Sequence, residues 1–160
     1  MNIFFLSLNV KLCAQAYYDK HVGKILLEIA QMLSTAIRLL SDCYDSDKIY
    51  RRTHDNHPMA IWVRSYQENW QWTLQLAIAL HEEWCYRFQK THKSYQVIEY
   101  ISKLTLTLPS TPNGRLSFIP RCMPENCLGG KAVTAYRRYY MIEKRALASW
   151  HVRGQPTWWH

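Results

Sequence analysis

The sequence predicts an all-α protein, a compact single-domain helical bundle with a short extended N-terminal arm and a long C-terminal loop region. Three observations carry that reading. Apolar residues recur at helical intervals through several long stretches. The 5 Gly and 6 Pro are few and concentrated late in the chain. The 160 residues are enough for one real core and short for two, so residues 1–160 form a single domain.

The elements follow in order. Ile3 to Val10 reads as a short strand or an extended arm laid on the body. A helical pattern begins near Ala14, and the segment from about Asp19 to Leu40 is one helix that ends before the turn-forming SDCYDSDK. In the basic loop YRRTHDNHP, Pro58 is placed to open another helical turn. Ser65 stands three residues before Glu68, the capping-box spacing, ahead of the periodic run NWQWTLQLAIALHEEWCYRFQK. A further helix around SYQVIEYISKL stops at LPSTPNGRLSFIPRCMPENCLGG, a surface-wrapping stretch. A last helix runs from about Ala132 to Trp150 and leads to the aromatic tail RGQPTWWH.

The bulk composition narrows the function classes. Hydrophobic residues at 48% and aromatic residues at 14% indicate a folded globule. A formal charge of +8 favours a polyanionic partner, because clustered Lys and Arg release counterions from nucleic acid or acidic lipid. The opening MNIFFLSLNV has no basic leader or small-residue cleavage site, and the five cysteines lack a regular spacing. The expectation is a cytoplasmic protein with free thiols and no membrane partner.

The segment from Asp19 to Leu40 carries a single line of polar residues through apolar surroundings. At roughly 100° per residue, His21, Lys24, Glu28, Gln31 and Thr35 fall on one strip, while Val22, Ile25, Leu26, Leu27, Ile29, Ala30 and Leu33 fill the rest of the wheel. Such a helix is central to its domain, and its polar line faces a shared interior or a cleft. Lys24 and Glu28, at i and i+4, can also be a plain ion pair within a self-satisfied network. An acid, an amine and an imidazole in register are equally what acid–base chemistry uses.

Two basic clusters follow this line in sequence. Arg51, Arg52, His54 and His57 crowd one loop with Arg64 following, and Arg137, Arg138, Lys144 and Arg145 crowd the last helix. With Tyr and Trp interleaved, they point to phosphate contacts and base stacking, so nucleic acid is the favoured partner. His54 with His57, and Cys122 with Cys127, lack companions at zinc spacing, so no metal is expected. There is no Gly-rich phosphate loop or serine nucleophile elbow, and no cofactor is expected. His81, Glu82 and Glu83 read as surface charge near a helix end.

Asp19-Lys20-His21, followed seven residues after the histidine by Glu28, resembles the pyrimidine-dimer DNA glycosylase family, the endonuclease-V-type repair enzymes of phages. The ending GQPTWW after a basic last helix is similar to the Arg-Pro-Thr-Trp tail of that family. The resemblance covers the two ends of the chain, with a general likeness of helix order between them. It implies a compact all-helical fold acting as a monomer on double-stranded DNA, cleaving the bond between a damaged pyrimidine and its sugar. By position Glu28 matches the catalytic glutamate and His21 the histidine that approaches DNA. Asp19, Gln31 and Thr35 extend the DNA-facing set along the same helix.

The chain departs from the family at its start. The family attacks the sugar with the amine of a Thr exposed by methionine removal, whereas Met1 here precedes Asn2, a poor context for that removal. Two chemistries follow. Glu28 can stabilise an oxocarbenium-like sugar and activate water, giving a monofunctional glycosylase that leaves an abasic site. Lys24, lowered in pKa by burial, can instead supply the amine and add strand cleavage through a Schiff base. A flipped base needs an aromatic pocket, for which Trp62, Tyr66, Trp70, Trp158 and Trp159 are candidates. The family context implies either a photodimer or a hydroxymethylated or glycosylated cytosine of phage DNA, the latter placing the enzyme in antiphage defence. Two rival readings are a non-enzymatic helical nucleic-acid-binding module and an RNA-directed nuclease with His21 as general base.

Overall fold

A computed structural model describes residues 1–160 and contains six α-helices and no strand. They are α1 (Val10–Ala16), α2 (Asp19–Leu40), α3 (Pro58–Val63), α4 (Gln67–Phe88), α5 (Tyr95–Ser102) and α6 (Ala132–Glu143). Short 3₁₀ turns stand at Ser46–Lys48, Glu125–Cys127 and Arg145–Leu147. None of the helices is long and apolar enough to cross a membrane.

The periodic segment from Asp19 to Leu40 is one helix, with Val22, Ile25, Leu26, Ile29, Ala30 and Leu33 all buried. It packs mainly against α4. Gly23 permits that approach: a Cβ there would come within 2.5 Å of the Trp84 ring. The arm does more than lie on the body. Ile3, Phe4, Phe5 and Leu6 are buried, and Phe5 stacks on Trp72 at 4.5 Å between ring centroids and meets Trp62 edge-on. Each such apolar side chain contributes about 1.5–3 kcal/mol by leaving water, so the arm is an integral part of the core.

The helical pattern that begins near Ala14 breaks at Tyr17 and Tyr18, both extended and buried, although neither Gly nor Pro stands there. Tertiary contacts make the break. The Tyr17 hydroxyl donates to the Phe4 carbonyl and accepts from the Phe4 amide. The carbonyls released at the end of α1 are taken up by Arg87, which binds Gln15 O at 3.0 Å and Tyr17 O at 2.9 Å.

That arginine is the hub of a buried ionic network. It donates to Glu83 Oε1 at 2.6 Å and to Asp19 Oδ1 at 2.9 Å, while Arg153 reaches both oxygens of Glu83. Asp19 Oδ2 in turn accepts from the His151 amide and lies 2.6 Å from His151 Nδ1. Two expectations are corrected here. Glu83 is buried rather than surface charge, and Asp19 is committed to this tail-fastening network rather than turned toward DNA.

Pro58 does open α3 at its first turn, with His57 as the cap whose Nδ1 accepts from Met59 N. The capping box does not form. Tyr66 is the cap residue of α4, Ser65 bonds back to Ile61 O, and Glu68 accepts from Thr111 N, tying α4 to the long loop. The last helix ends at Glu143, well before Trp150, because the chain turns to seat Ser149 O on the Asp19 amide and the Trp150 indole N–H on Ala16 O. Residues 104–131 wrap the body without α-helix, as the Pro-rich composition predicts.

Candidate catalytic cleft

The arm and α2 together build a cleft of about 230 Å³. Glu28 is its acid. The Asn2 amide donates to Glu28 Oε2 at 2.8 Å, and Oε1 lies 3.8 Å from Lys24 Nζ and 3.9 Å from the Met1 amino group. Asn2 is itself pinned to the long loop, its side-chain amide donating to Cys122 O at 2.8 Å. Lys144, over the Tyr139 ring at 4.9 Å, and His57 complete the rim. The cleft therefore holds one carboxylate, 14% exposed, ringed by the cationic nitrogens of Met1, Lys24 and Lys144, with His57 held toward its neutral form by burial.

His21 forms an inner wall. It is 4% exposed, stacks on Tyr18 at 4.0 Å, and places Nδ1 2.6 Å from the Tyr140 hydroxyl. Burial, reinforced by Lys24 and Lys144, pushes its pKa from 6.5 down to about 3, so the ring is neutral. Burial also holds the Tyr140 phenol well above its ordinary range and hence protonated. When that hydroxyl donates to Nδ1, the ring proton resides on Nε2, so His21 offers a neutral donor and no useful base. The expected check is nuclear magnetic resonance of the imidazole nitrogens, which should stay neutral between about pH 8 and pH 5. A titration near the ordinary histidine value would overturn this assignment. The same shift means that the stability His21 contributes is complete above about pH 6.5 and is lost as pH falls toward 3.

The polar line thus resolves into unlike parts. Lys24 is 61% exposed, which corrects the expectation that burial tunes it. Gln31 is half-buried on the next turn, outside the cleft lining. Thr35 is buried and corrected to a structural role. Its hydroxyl donates to Thr53 O and accepts from Thr53 N, fastening the basic loop to α2. Ser34 accepts from Tyr50 N, and Arg38 binds the carbonyls of Tyr50, Ser46 and Ile49. These bonds deliver His57 to the rim.

The basic residues divide in the same way. Arg51 is exposed, Arg52 pairs with Asp55, and His54 takes a left-handed backbone (φ 53°) with Nδ1 on the Thr53 hydroxyl. Arg64 is half-buried, one of its Nη atoms buried without a partner. Arg137 donates to Leu6 O and lies 5.0 Å over Trp158, while Arg138 holds the carbonyls of Cys127 and Leu128. Both serve the fold through backbone carbonyls, whereas Lys144 faces the cleft and Arg145 lies over Trp159 at 5.8 Å. Among the aromatics, Trp62 and Trp70 are core, Tyr66 is half-buried at the start of α4, and Trp158 and Trp159 are half-buried at the tail. The rings that line the cleft are Phe4 and Tyr139 instead.

Sequence reasoning missed Met1, Asn2, Phe4, Tyr139 and Cys122 as cleft residues. The apolar run of the arm signals burial and nothing of its destination. A second, larger concavity of about 730 Å³ lies between α4 and the loop around Phe118, but its only acid is Glu68, already bonded to Thr111 N. Convergence of acid, amines and imidazoles makes the smaller cleft the candidate functional site. Compared with protein-family models, with curated proteins and with solved structures, the chain matches none.

Proposed function

We propose that the chain is a DNA glycosylase that excises a damaged or modified pyrimidine flipped from the duplex, leaving an abasic site. The observation that carries this reading is Glu28, a carboxylate in a cleft ringed by the Met1 amine, Lys24, Lys144 and His57 on a chain of net charge +8. The Met1, Lys24 and Lys144 cations attract the phosphates flanking a flipped nucleotide, while burial lowers the His57 pKa and leaves it a neutral rim group. As the C1′–N bond breaks, its electron pair leaves with the base and positive charge develops on the sugar. Glu28 stabilises that charge and takes the proton of the water that adds to C1′. The short apolar arm, a feature the sequence shares with the family it resembles, brings the Met1 amino group within 3.9 Å of Glu28 Oε1. The burial of His21, its Nδ1 held by the Tyr140 hydroxyl and its pKa pushed far below that of a useful base speak against an RNA nuclease that uses it as general base.

A second chemistry has its own observation. The Met1 amino group lies 3.9 Å from Glu28 Oε1, and Lys24 Nζ lies 3.8 Å from the same oxygen. After giving a proton to Glu28, the Met1 amine or Lys24 would attack C1′, the base leaving with the electron pair of its C1′–N bond, and breaking of the C1′–O4′ bond would open the sugar to a Schiff base. The substrate class is a photodimer or a hydroxymethylated or glycosylated cytosine of phage DNA, the latter an antiphage role.

The test incubates purified protein with unmodified, ultraviolet-irradiated and modified-cytosine phage DNA and assays abasic sites. Abasic sites are expected on one modified DNA and not on unmodified DNA. None on any of the three would overturn the glycosylase reading and leave a non-enzymatic binding module. Borohydride then separates the chemistries: water addition gives no covalent adduct, whereas an adduct abolished by Lys24→Ala, or by acetylation of the N-terminal amine, identifies that nitrogen.

A further inference from the structure

The long loop after α5 presents an aromatic side chain that the core does not use. Phe118 is 78% exposed, more than any other large hydrophobic residue of the chain. An exposed apolar residue alone is ordinary. This one sits on a backbone that is held firmly. Asn69, fully buried on α4, accepts from the Ser117 amide at 3.1 Å and donates to the Ser117 hydroxyl at 2.7 Å. The base of the loop is closed by Thr111, whose hydroxyl donates to Arg115 O and whose amide donates to Glu68. The ring is therefore displayed from a fixed support.

Its surroundings are cationic: Phe118, Arg115 and Arg121 line the larger concavity beside α4, and the chain runs on from Arg121 into the cleft. The Arg121 guanidinium lies 5.7 Å from the Phe118 ring centroid, with its Nε unpartnered, and Arg115 stands on the other side in sequence. Cys122 follows Arg121 directly and lines the cleft, where its carbonyl accepts from Asn2, whose amide in turn bonds Glu28. An apolar ring with arginines before and after it, a few residues from the catalytic cleft, matches the chemistry of a duplex: an aromatic side chain enters the base stack and cations hold the adjacent phosphates.

We infer that Phe118 is a wedge that inserts into the DNA stack at the space vacated by the flipped nucleotide, with Arg115 and Arg121 on the flanking phosphates. The inference rests on the glycosylase reading and adds a positioning residue to it. Opening one base step costs stacking energy, and a ring that replaces the lost stack holds the extrahelical state open for Glu28.

The test uses the full chain and a DNA duplex containing a tetrahydrofuran abasic analogue beside 2-aminopurine, with an unmodified duplex as control. Wild type is expected to prefer the analogue and to raise 2-aminopurine fluorescence as the step unstacks. Phe118→Ala is expected to lose that preference by about tenfold or more, the scale of one aromatic–base stack, and to lose the fluorescence rise. Phe118→Trp is expected to keep both. Thermal unfolding of Phe118→Ala should match wild type, because the side chain is exposed. If Phe118→Ala keeps the wild-type preference and fluorescence, the wedge is overturned while the glycosylase reading stands. If wild type itself does not distinguish the analogue from unmodified duplex, the wedge is overturned, and the abasic-site assay on the three DNAs decides the glycosylase reading separately.

Discussion

Glu28→Gln is expected to reduce abasic-site formation by at least about a hundredfold, the lower bound of what a positioned acid–base group supplies. Binding to the same DNA should persist or tighten, since the substitution removes the negative charge among the cationic nitrogens of Lys24, Lys144 and Met1. Glutamine keeps the shape of the side chain and an oxygen to accept from the Asn2 amide, so the arm should stay seated. The measurements are single-turnover excision on the active DNA and a binding isotherm at fixed salt. Activity within a few-fold of wild type would remove Glu28 from the chemistry.

Arg87→Ala is expected to be the most damaging substitution for stability, by about 3–5 kcal/mol, because it leaves buried carboxylates and carbonyls without their cation. Its side chain is 1% exposed and serves Glu83, Asp19, Gln15 and Tyr17 at once. Urea unfolding measures the loss. The exposed pair Lys103–Glu99 is the control, where Lys103→Ala should cost less than about 1 kcal/mol. Acid titration adds a second readout. Burial pushes the Asp19 carboxyl up, but hydrogen bonds from His151 and Arg87 prevail and leave it below its ordinary value. Burial likewise opposes Glu83, and Arg153 with Arg87 prevails there too. A depressed carboxyl stabilises the fold above its unfolded pKa and loses that contribution as pH falls through the folded value. Wild type should therefore weaken as pH drops below the ordinary carboxylate values of 3.8 and 4.5, and Arg87→Ala should flatten that dependence. An unchanged urea midpoint in Arg87→Ala would show that the network does not hold the tail.

Both substitutions mark where local pattern stops being informative. The span of α2 was legible because apolar spacing surrounds nearly its whole circumference, and the start of α3 was legible because proline at the first turn forgoes no hydrogen bond. The break between α1 and α2 was not legible, since nothing in Ala16-Tyr17-Tyr18-Asp19 disfavours a helix. It exists because Phe4 and Arg87, distant in sequence, bind the groups that a continuous helix would have used. The Ser65 and Glu68 spacing misled for the same reason: Thr111 offers Glu68 a better partner than its own helix start.

Within the candidate site, sequence alone put His21, Lys24 and Glu28 on one helical strip and marked the chain as basic, both consequences of a fixed helical period and of counting charges. Tertiary structure decided what each does, because burial and partners depend on elements far apart in the chain. It made His21 a neutral wall, left Lys24 in water, turned Thr35 and Asp19 to structural work, and set the Met1 amine and Asn2 amide against Glu28. The helix period dictates which side chains share a face. Only the packed arm, the Thr35-anchored loop and the loop through Cys122 determine that the face at Glu28 is a cleft.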